Sequence, residues 1–242
     1  MLIPWSPQSA KIATKSNRDW VLNAKPVLLL HLDGADAAVT TKDSGGTGHT
    51  VTFGGTAQLD TAQKKWGSSS LLLDGDSDYL TIADHANWDI STNWTVDLWL
   101  NCDAVAGTYR LIEQYEDASN HWHITLYART LFFQVISLDT AIVSLAAAGT
   151  VTTATWYHVA LCKVGNLYGM YQDGTQISYV SDADTDTFAG ILVIGRHGDA
   201  SHYFDGHMDE IRIVPGNPFG ALPNAGKTNT IKVPFRPYIS WG

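Results

Sequence analysis

The chain has 242 residues, which is enough for one or two domains and a full hydrophobic core. Hydrophobic residues make up 45% of it, which excludes disorder by composition. Lys and Arg number 15 against 24 Asp and Glu, so the formal net charge is −9. This leaves too little basic charge for a nucleic-acid-binding face or for attraction to an anionic membrane.

Short apolar or alternating runs separated by Gly, Asp, Asn and Ser recur along the chain, and helix-period patterns are almost absent. Residues 1–25 are polar and predict an N-terminal arm, 26–214 predict the folded domain, and the Pro- and Gly-rich residues 215–242 predict an irregular C-terminal extension. The pattern predicts an all-β, two-sheet antiparallel jelly-roll sandwich. The predicted strands are 27–32, 51–53, 70–73, 79–82, 95–102, 110–114, 122–127, 131–137, 157–164, 168–172, 191–194 and 207–214.

No segment predicts a membrane span. The longest aliphatic run, 27–32, is far shorter than the roughly 20 residues that a spanning helix needs. Residues 1–20 lack the apolar centre of a signal peptide, so the route to an extracellular site is not evident from the sequence. Cys102 and Cys162 form no CxxC pair, and we expect both to be buried free thiols.

Several motifs, taken together and in order, identify a resemblance over about residues 27–214. They are LLLHLDG (28–34), KDSGGTGH (42–49), TAQKKWGSSSLLLDGDSDYLTIADHANWD (61–89), WTVDLWLNC (94–102), WYHVALCK (156–163), MYQDG (170–174), ILVIGR (191–196) and YFDGHMDEIRI (203–213). They resemble the laminin G-like jelly rolls of the concanavalin A-like lectin/glucanase superfamily, in a style similar to phage and environmental-virus modules. The resemblance implies a concanavalin A-like sandwich. The superfamily includes lectins, adhesion modules, glycosidases, lyases and structural modules, so the residues must decide the function.

The acidic residues argue against an enzyme. Retaining glucanases of this superfamily carry Glu-x-Asp-x-x-Glu on one strand, which places a nucleophile and an acid/base on one face. The candidates here, Glu113, Glu116 and Asp117, have Glu-x-x-Glu-Asp spacing, so Glu113 and Glu116 point to opposite faces of a strand. We therefore predict no catalytic residues, with a glycan-degrading enzyme as the second alternative.

The resemblance also implies a structural Ca²⁺ site. Asp209 begins the last strand, with Ile211 and Ile213 on its face by alternation. It would hold the ion together with Asp33, which directly follows the first strand, and with backbone oxygens near Gly34. Asp43 is a further candidate ligand. The alternative is that Asp209 accepts hydrogen bonds from loop amides, without a metal.

Alternation divides residues 95–102 into an apolar face, which must be core, and a face carrying Asp97, Trp99 and Asn101. On residues 121–127 the corresponding face carries His121, His123 and Tyr127. The two histidines share a side and could chelate a metal, but no third ligand is evident in the sequence, and they are interpreted as solvent- or groove-facing.

If both strands share the concave sheet, their polar and aromatic side chains form a glycan surface. Trp99 and Tyr127 are then stacking platforms, although packing is the alternative role of Trp99. Asp97→Asn and His123→Ala are expected to reduce glycan binding and to leave the fold intact. The hydrogen-bonding partners for sugar hydroxyls would be Asp97, Asn101, His121 and His123.

These residues predict a non-catalytic carbohydrate-binding or adhesion module of a viral particle or extracellular surface protein. The first alternative is a structural virion or scaffold module without sugar affinity. The acidity of the chain favours neutral glycans as partners, because like charges repel. Other virion or surface-protein chains are further candidate partners, and nucleic acid and membranes are not expected.

Overall fold

The computed structural model describes residues 25–90, 93–147 and 150–241, so the predicted N-terminal arm lies almost wholly outside the described residues. The described residues contain one helix, the short 3-10 helix Ala86–Trp88. No helix in this part of the chain is long and apolar enough to cross a membrane. The strands are β1 Leu28–Leu30, β2 Val51–Gly54, β3 Gln58–Asp60, β4 Ser70–Asp74, β5 Tyr79–Ile82, β6 Asn93–Cys102, β7 Thr108–Asp117, β8 Asn120–Tyr127, β9 Thr130–Ser137, β10 Thr140–Ala146, β11 Trp156–Val164, β12 Leu167–Gln172, β13 Thr175–Ser181, β14 Ile191–Ile194 and β15 Asp205–Pro215.

The strands form two antiparallel sheets, which confirms the predicted all-β sandwich. The first sheet has the order β13-β12-β11-β6-β15-β4-β3, and β1 also pairs with β15. The second sheet has the order β10-β9-β8-β7-β14-β5-β2. Because β6 lies in the first sheet and β8 in the second, the two strands expected to share a glycan surface belong to different layers.

The hydrophobic core lies between the sheets and follows from strand alternation. Val96, Leu98 and Leu100 of β6 face the core, as predicted, and Trp122 of β8 meets them from the other sheet. The rings of Trp94 and Trp122 pack edge to face, with centroids 5.0 Å apart. Each large apolar side chain buried in this way contributes about 1.5–3 kcal/mol. Cys102 and Cys162 are buried free thiols, which confirms their prediction.

Three strands were not predicted from the sequence, namely β3, β10 and β13, and all three are at sheet edges. An edge strand has one pairing neighbour and keeps more of its side chains in solvent, as the largely exposed or half-buried residues of β10 show. Its sequence therefore lacks the apolar run that identifies a central strand. The central strands β6, β8, β11 and β15 were all predicted, within a few residues at each end.

The outer side of the first sheet is covered by the C-terminal residues 216–241, called here the C-terminal cover. Tyr238 packs on Leu29 of β1, with Phe219 beside them. Ala221 and Ile231 pack against Tyr171 of β12 and its neighbours in β11. Among residues 216–241 the structure has a single β-bridge, between Thr230 and Thr175, and no longer strand. The cover thus turns one outer face of the sandwich into a second buried layer.

A β-bulge in β15 changes the predicted orientation of Asp209. The register with β6 shifts by one residue between Asp209, opposite Trp99, and Arg212, opposite Asp97, and Glu210 has a positive φ of 51°. The extra residue places Asp209 on the outer face while Ile211 stays in the core, so the expectation that both share a face is wrong.

Candidate functional site

The outer side of the second sheet carries a cluster of polar side chains from the β7–β8 hairpin. In the register of this hairpin, Glu113 pairs with His123, Tyr115 with His121 and Arg110 with Thr125. Alternation sends Trp122 and Ile124 into the core and leaves the histidines on the outer face. The hairpin therefore brings an acid, a guanidinium and two imidazoles together on one surface.

Beside this cluster lies a shallow groove of about 250 Å³. The Tyr127 side chain forms its exposed rim, with 54% of its surface open, and its ring packs against Phe132 with centroids 6.1 Å apart. Polar groups line the rest of the groove. Its lining residues are Thr108, Arg110, His123, Thr125, Tyr127, Phe132 and Gln134.

Arg110 and Glu113 set the electrostatics of the cluster. Arg110 Nε lies 3.6 Å from Glu113 Oε1, and Arg110 Nη1 donates a 2.6 Å hydrogen bond to Thr125 Oγ1. Glu113 Oε2 accepts a 2.9 Å hydrogen bond from the Gly198 amide. Burial raises the pKa of Glu113 to about 7, although the Arg110 charge and the Gly198 hydrogen bond act in the opposite direction. The carboxyl is therefore only partly ionised near neutral pH.

The imidazoles of the cluster are neutral near pH 7. Burial, and after it the charge of Arg110, lowers the pKa of His123 well below its usual value. The same two causes lower the pKa of His197, which lies on the loop after β14, to about 4. Burial also lowers the pKa of His121. The rings of His121 and His123 stack with centroids 5.2 Å apart, an arrangement that two imidazolium cations would disfavour.

The predicted glycan residues divide between the two outer faces of the sandwich. His121, His123 and Tyr127 lie together on the second sheet, where His123 and Tyr127 line the groove. Asp97, Trp99 and Asn101 of β6 lie on the first sheet and are only 1%, 4% and 5% exposed. The expected common surface is therefore wrong: β6 and β8 are in different layers.

Asp97 is the centre of a buried charge network beneath the C-terminal cover. Its Oδ1 accepts a 2.9 Å hydrogen bond from Arg212 Nε, and its Oδ2 lies 3.3 Å from His158 Nε2 and accepts a hydrogen bond from the Tyr238 hydroxyl. Burial acts to raise the pKa of Asp97, but the Arg212 charge and these hydrogen bonds outweigh it and lower the pKa. These contacts and its burial keep the Asp97 carboxylate away from any ligand in solution.

Trp99 and Asn101 are also buried. The Trp99 ring packs on His158, with centroids 5.2 Å apart, and edge to face on Trp66. Lys65 Nζ lies 3.9 Å from its ring centroid, in cation–π geometry. These contacts agree with the alternative role of Trp99, which is packing.

The three predicted calcium ligands are not brought together as one group. The Asp43 carboxylate accepts hydrogen bonds from the amides of Leu29, Gly45 and His49, at 2.7–2.9 Å. Asp33 is exposed and its Oδ1 accepts a 2.5 Å hydrogen bond from the Ser68 amide. The one cluster of three or more metal-ligating side chains in the described residues lies elsewhere, on the second sheet.

Of the three predicted calcium ligands, Asp209 is the one with a buried carboxylate oxygen that lacks a hydrogen-bond partner and could bind a cation. Its Oδ2 accepts hydrogen bonds from the amides of Lys65 and Trp66, at 2.8 and 2.9 Å, and its Oδ1 is buried without a hydrogen-bond partner among the described residues. Burial raises the pKa of Asp209 to about 8, so a proton can satisfy this oxygen as well as a cation can. Calcium binding here stays a prediction.

Sequence reasoning missed Arg110, Gln134 and His197, and did not connect Glu113 with the histidines. The spacing of acids along β7 relates Glu113 only to residues of its own strand, whereas its partners lie across the hairpin on β8. The short turn between Asp117 and Asn120 does not predict this pairing, because a regular hairpin would place Glu113 opposite Ile124. The register shift between Tyr115 and Asp117 brings His123 opposite Glu113 instead.

Comparisons with known proteins support the fold. A family model described as the concanavalin A-like lectin/glucanases superfamily matches residues 74–217. A comparison with curated proteins by sequence found no match.

Among solved structures, the chain is similar to the binding domain of botulinum neurotoxin serotype D, with a TM-score of 0.62, 15% identity, and coverage of 80% of this chain and 49% of that one. It is also similar to the binding domain of Paraclostridial Mosquitocidal Protein 1, with a TM-score of 0.62, 14% identity and coverage of 84% and 51%. A botulinum neurotoxin type C structure, whose title states that cell entry depends on interaction with two ganglioside molecules, matches with a TM-score of 0.60, 14% identity and coverage of 80% and 48%. The chain spans about half the length of these structures, and at such identities the likeness shows the fold alone.

Proposed function

The chain belongs to the laminin G-like family of the concanavalin A-like lectin/glucanase superfamily, and on this premise we propose that it is a non-catalytic carbohydrate-binding module. The proposed site is the groove on the outer face of the second sheet. The residues that carry the proposal differ from those predicted on β6, because the β6 residues are buried. Tyr238 of the C-terminal cover contacts Asp97, and Lys65 and Trp66 of the β3–β4 loop contact Trp99.

The observation that carries the proposal is the pairing of an exposed aromatic ring with fixed polar groups. Tyr127 is 54% exposed at the rim, where its ring can stack on the apolar face of a sugar. Arg110 and His123 are each more than 90% buried, so their positions are held by packing, and Gln134 lies on the neighbouring strand β9. Sugar binding needs this combination of an apolar platform and precisely placed hydrogen-bonding groups.

The charges of the groove favour a neutral glycan. Arg110 is the cationic side chain among the lining residues, and its charge faces the Glu113 carboxyl 3.6 Å away. The histidines are uncharged near pH 7, and the whole chain carries a net charge of −9. An anionic polymer would approach against this overall charge.

An extracellular or virion-associated surface is the proposed setting. Several copies on one particle would compensate for a weak single site, with an expected Kd between micromolar and millimolar, or about −8 to −4 kcal/mol. The ganglioside interaction named for neurotoxin type C is a property of that protein and supports only the general idea that this fold can present a glycan site.

A glycan-degrading enzyme is the second candidate, favoured by one observation. The pKa of Glu113 is raised to about 7, which is the range of a general acid or base at neutral pH. A glycosidase of the usual kind needs a second carboxyl group beside the scissile bond. Incubating the bound glycan with the protein and measuring new reducing ends separates the two candidates, since a binding module releases none.

The test is a glycan array probed with the multimerised protein, followed by titration of the best neutral glycan. Tyr127→Ala is expected to weaken binding at least tenfold, about 1.4 kcal/mol, without changing the melting temperature, because the ring lies largely in solvent. The matched control is Phe235→Ala, which removes a ring that is 57% exposed outside the groove and should leave binding unchanged.

Two results would overturn the proposal. If no neutral or acidic glycan binds the multimerised protein, the structural-module alternative is correct. If a glycan binds equally well to the Tyr127→Ala chain, the groove is not its site.

A further inference from the structure

A three-residue ligand set lies beside the groove and shares only His123 with the proposed glycan contacts. Glu113 of β7 and His121 and His123 of β8 each present one ligand atom, and these three atoms lie within 4.8 Å of one another. All three residues are buried, at 0%, 5% and 5% exposure. His121 Nε2 lies 3.9 Å from Glu113 Oε1.

The orientation of His121 suits metal binding. Its Nδ1–H donates a 3.2 Å hydrogen bond to the backbone carbonyl of Asp117. That bond assigns the proton to Nδ1 and leaves the lone pair of Nε2 directed toward Glu113. A metal-ligating histidine is held in the same way, with its second nitrogen donating to a carbonyl or carboxylate.

Two buried atoms in the set lack partners, which is an independent indication of a ligand. Glu113 Oε1 and His123 Nδ1 are both buried, and neither has a hydrogen-bond partner among the described residues. Buried polar atoms in folded proteins are almost always satisfied. A cation bound at this ligand set would give Glu113 Oε1 the partner that it lacks.

We propose that Glu113, His121 and His123 form a site for a divalent transition metal of the Zn²⁺ class. Two imidazoles and one carboxylate are the three-ligand set that leaves a fourth position of Zn²⁺ open. Hard cations such as Ca²⁺ and Mg²⁺ require mainly oxygen ligands and do not match this set. A tetrahedral ion with bonds of about 2.0–2.2 Å needs ligand atoms roughly 3.5 Å apart, so side-chain movements of about 1 Å close the site.

Neighbouring groups set the affinity. Arg110 Nε, 3.6 Å from Glu113 Oε1, repels a dication, and its hydrogen bond to Thr125 holds it in place. His197 Nδ1 lies 3.5 Å from Glu113 Oε2 on the opposite side. Binding should therefore be weaker than at a site without the guanidinium, and removing the Arg110 charge should strengthen it.

The experiment titrates the full chain, produced without a histidine tag, with Zn²⁺ and separately with Co²⁺. One equivalent of Zn²⁺ should bind, and Co²⁺ should give visible absorption typical of tetrahedral coordination that Zn²⁺ abolishes. Glu113→Gln and His121→Asn should each raise the Kd at least about tenfold. Arg110→Met should lower it. His85→Ala removes an exposed histidine elsewhere and is the matched control, expected to leave the Kd unchanged.

A readout on the unmodified chain covers the case in which a variant does not fold. Zn²⁺ should shift the imidazole ¹⁵N resonances of His121 and His123 and leave those of His85 and His207 unchanged. The proposal is overturned if no stoichiometric binding occurs, if Glu113→Gln binds as well as the original chain, or if the shifts appear at other histidines. Glycan binding is not part of this readout, so the two proposals stand or fall separately.

Discussion

Replacing Asp97 by asparagine is expected to destabilise the protein strongly, whereas the strand pattern alone predicted a surface change that affects only binding. The Asp97 side chain is fully buried, and it faces the Arg212 guanidinium at 2.9 Å. Asparagine keeps one acceptor oxygen but brings an NH₂ group toward donors on His158 and Tyr238. The buried Arg212 guanidinium would then lose the negative charge of Asp97.

The size of the effect follows from this burial. Removing one partner of a buried ion pair costs about 3–5 kcal/mol, because the remaining charge stays desolvated. Such a loss is a large fraction of the roughly 5–15 kcal/mol by which a domain is stable. For a chain of this length it lowers the melting temperature by roughly 6–20 °C, at about 2–4 °C for each kcal/mol.

Urea unfolding monitored by tryptophan fluorescence measures the free energy of unfolding. The double variant Asp97→Leu/Arg212→Met is the control, because it removes both charges and should cost less than the sum of the two single changes. Tyr238→Phe, which removes one donor to a buried carboxylate, should cost about 1.5–3 kcal/mol. A loss below about 1 kcal/mol for Asp97→Asn, or strict additivity in the double variant, would refute the argument.

Three further predictions concern other buried groups. Burial raises the pKa of Asp209 to about 8, so the native state holds this proton more tightly than the unfolded chain does and loses stability as the pH rises from about 4 to 8. Asp209→Asn should remove that decline, as measured by urea unfolding at several pH values. If the variant is less stable than the original chain only when Ca²⁺ is present, the calcium site is favoured instead. Burial raises the pKa of Cys102 and Cys162 to about 12, so neither should react with a thiol reagent at pH 8 before denaturation, and rapid labelling of the native protein would contradict this burial. Deleting residues 217–242 should lower the melting temperature and increase the binding of a hydrophobic dye, since loss of the buried Tyr238 side chain alone removes about 1.5–3 kcal/mol; an unchanged melting curve would show that the cover adds no stability.

Part of the candidate site could be read from the sequence. His121 and His123 were correctly placed on one side of their strand, and Trp122 between them belongs to the core. The role of Glu113 as their neighbour could not be read in the same way. It depends on hairpin register, and two bulges in β7, near residues 110–112 and 115–117, shift that register away from simple alternation.

The sequence by itself determined which side chains share a face of the central strands that have no β-bulge, such as β6 and β8. This is a local property, because successive side chains of an extended backbone point to opposite sides whatever the strand pairs with. It therefore established the inward Val96, Leu98 and Leu100 of β6, and with the ordered motifs it established the jelly-roll class.

Only the tertiary structure decided which faces meet solvent. Asp97 and His123 both point away from the core on central strands. Asp97 is buried beneath Tyr238 of the C-terminal cover, whereas His123 lines a groove at the surface. Strand alternation cannot distinguish these outcomes, because covering a face depends on packing by a segment more than 100 residues away. The Pro- and Gly-rich residues of that segment carry no periodic pattern, so their docking surface emerges only when the sheet that receives them has formed.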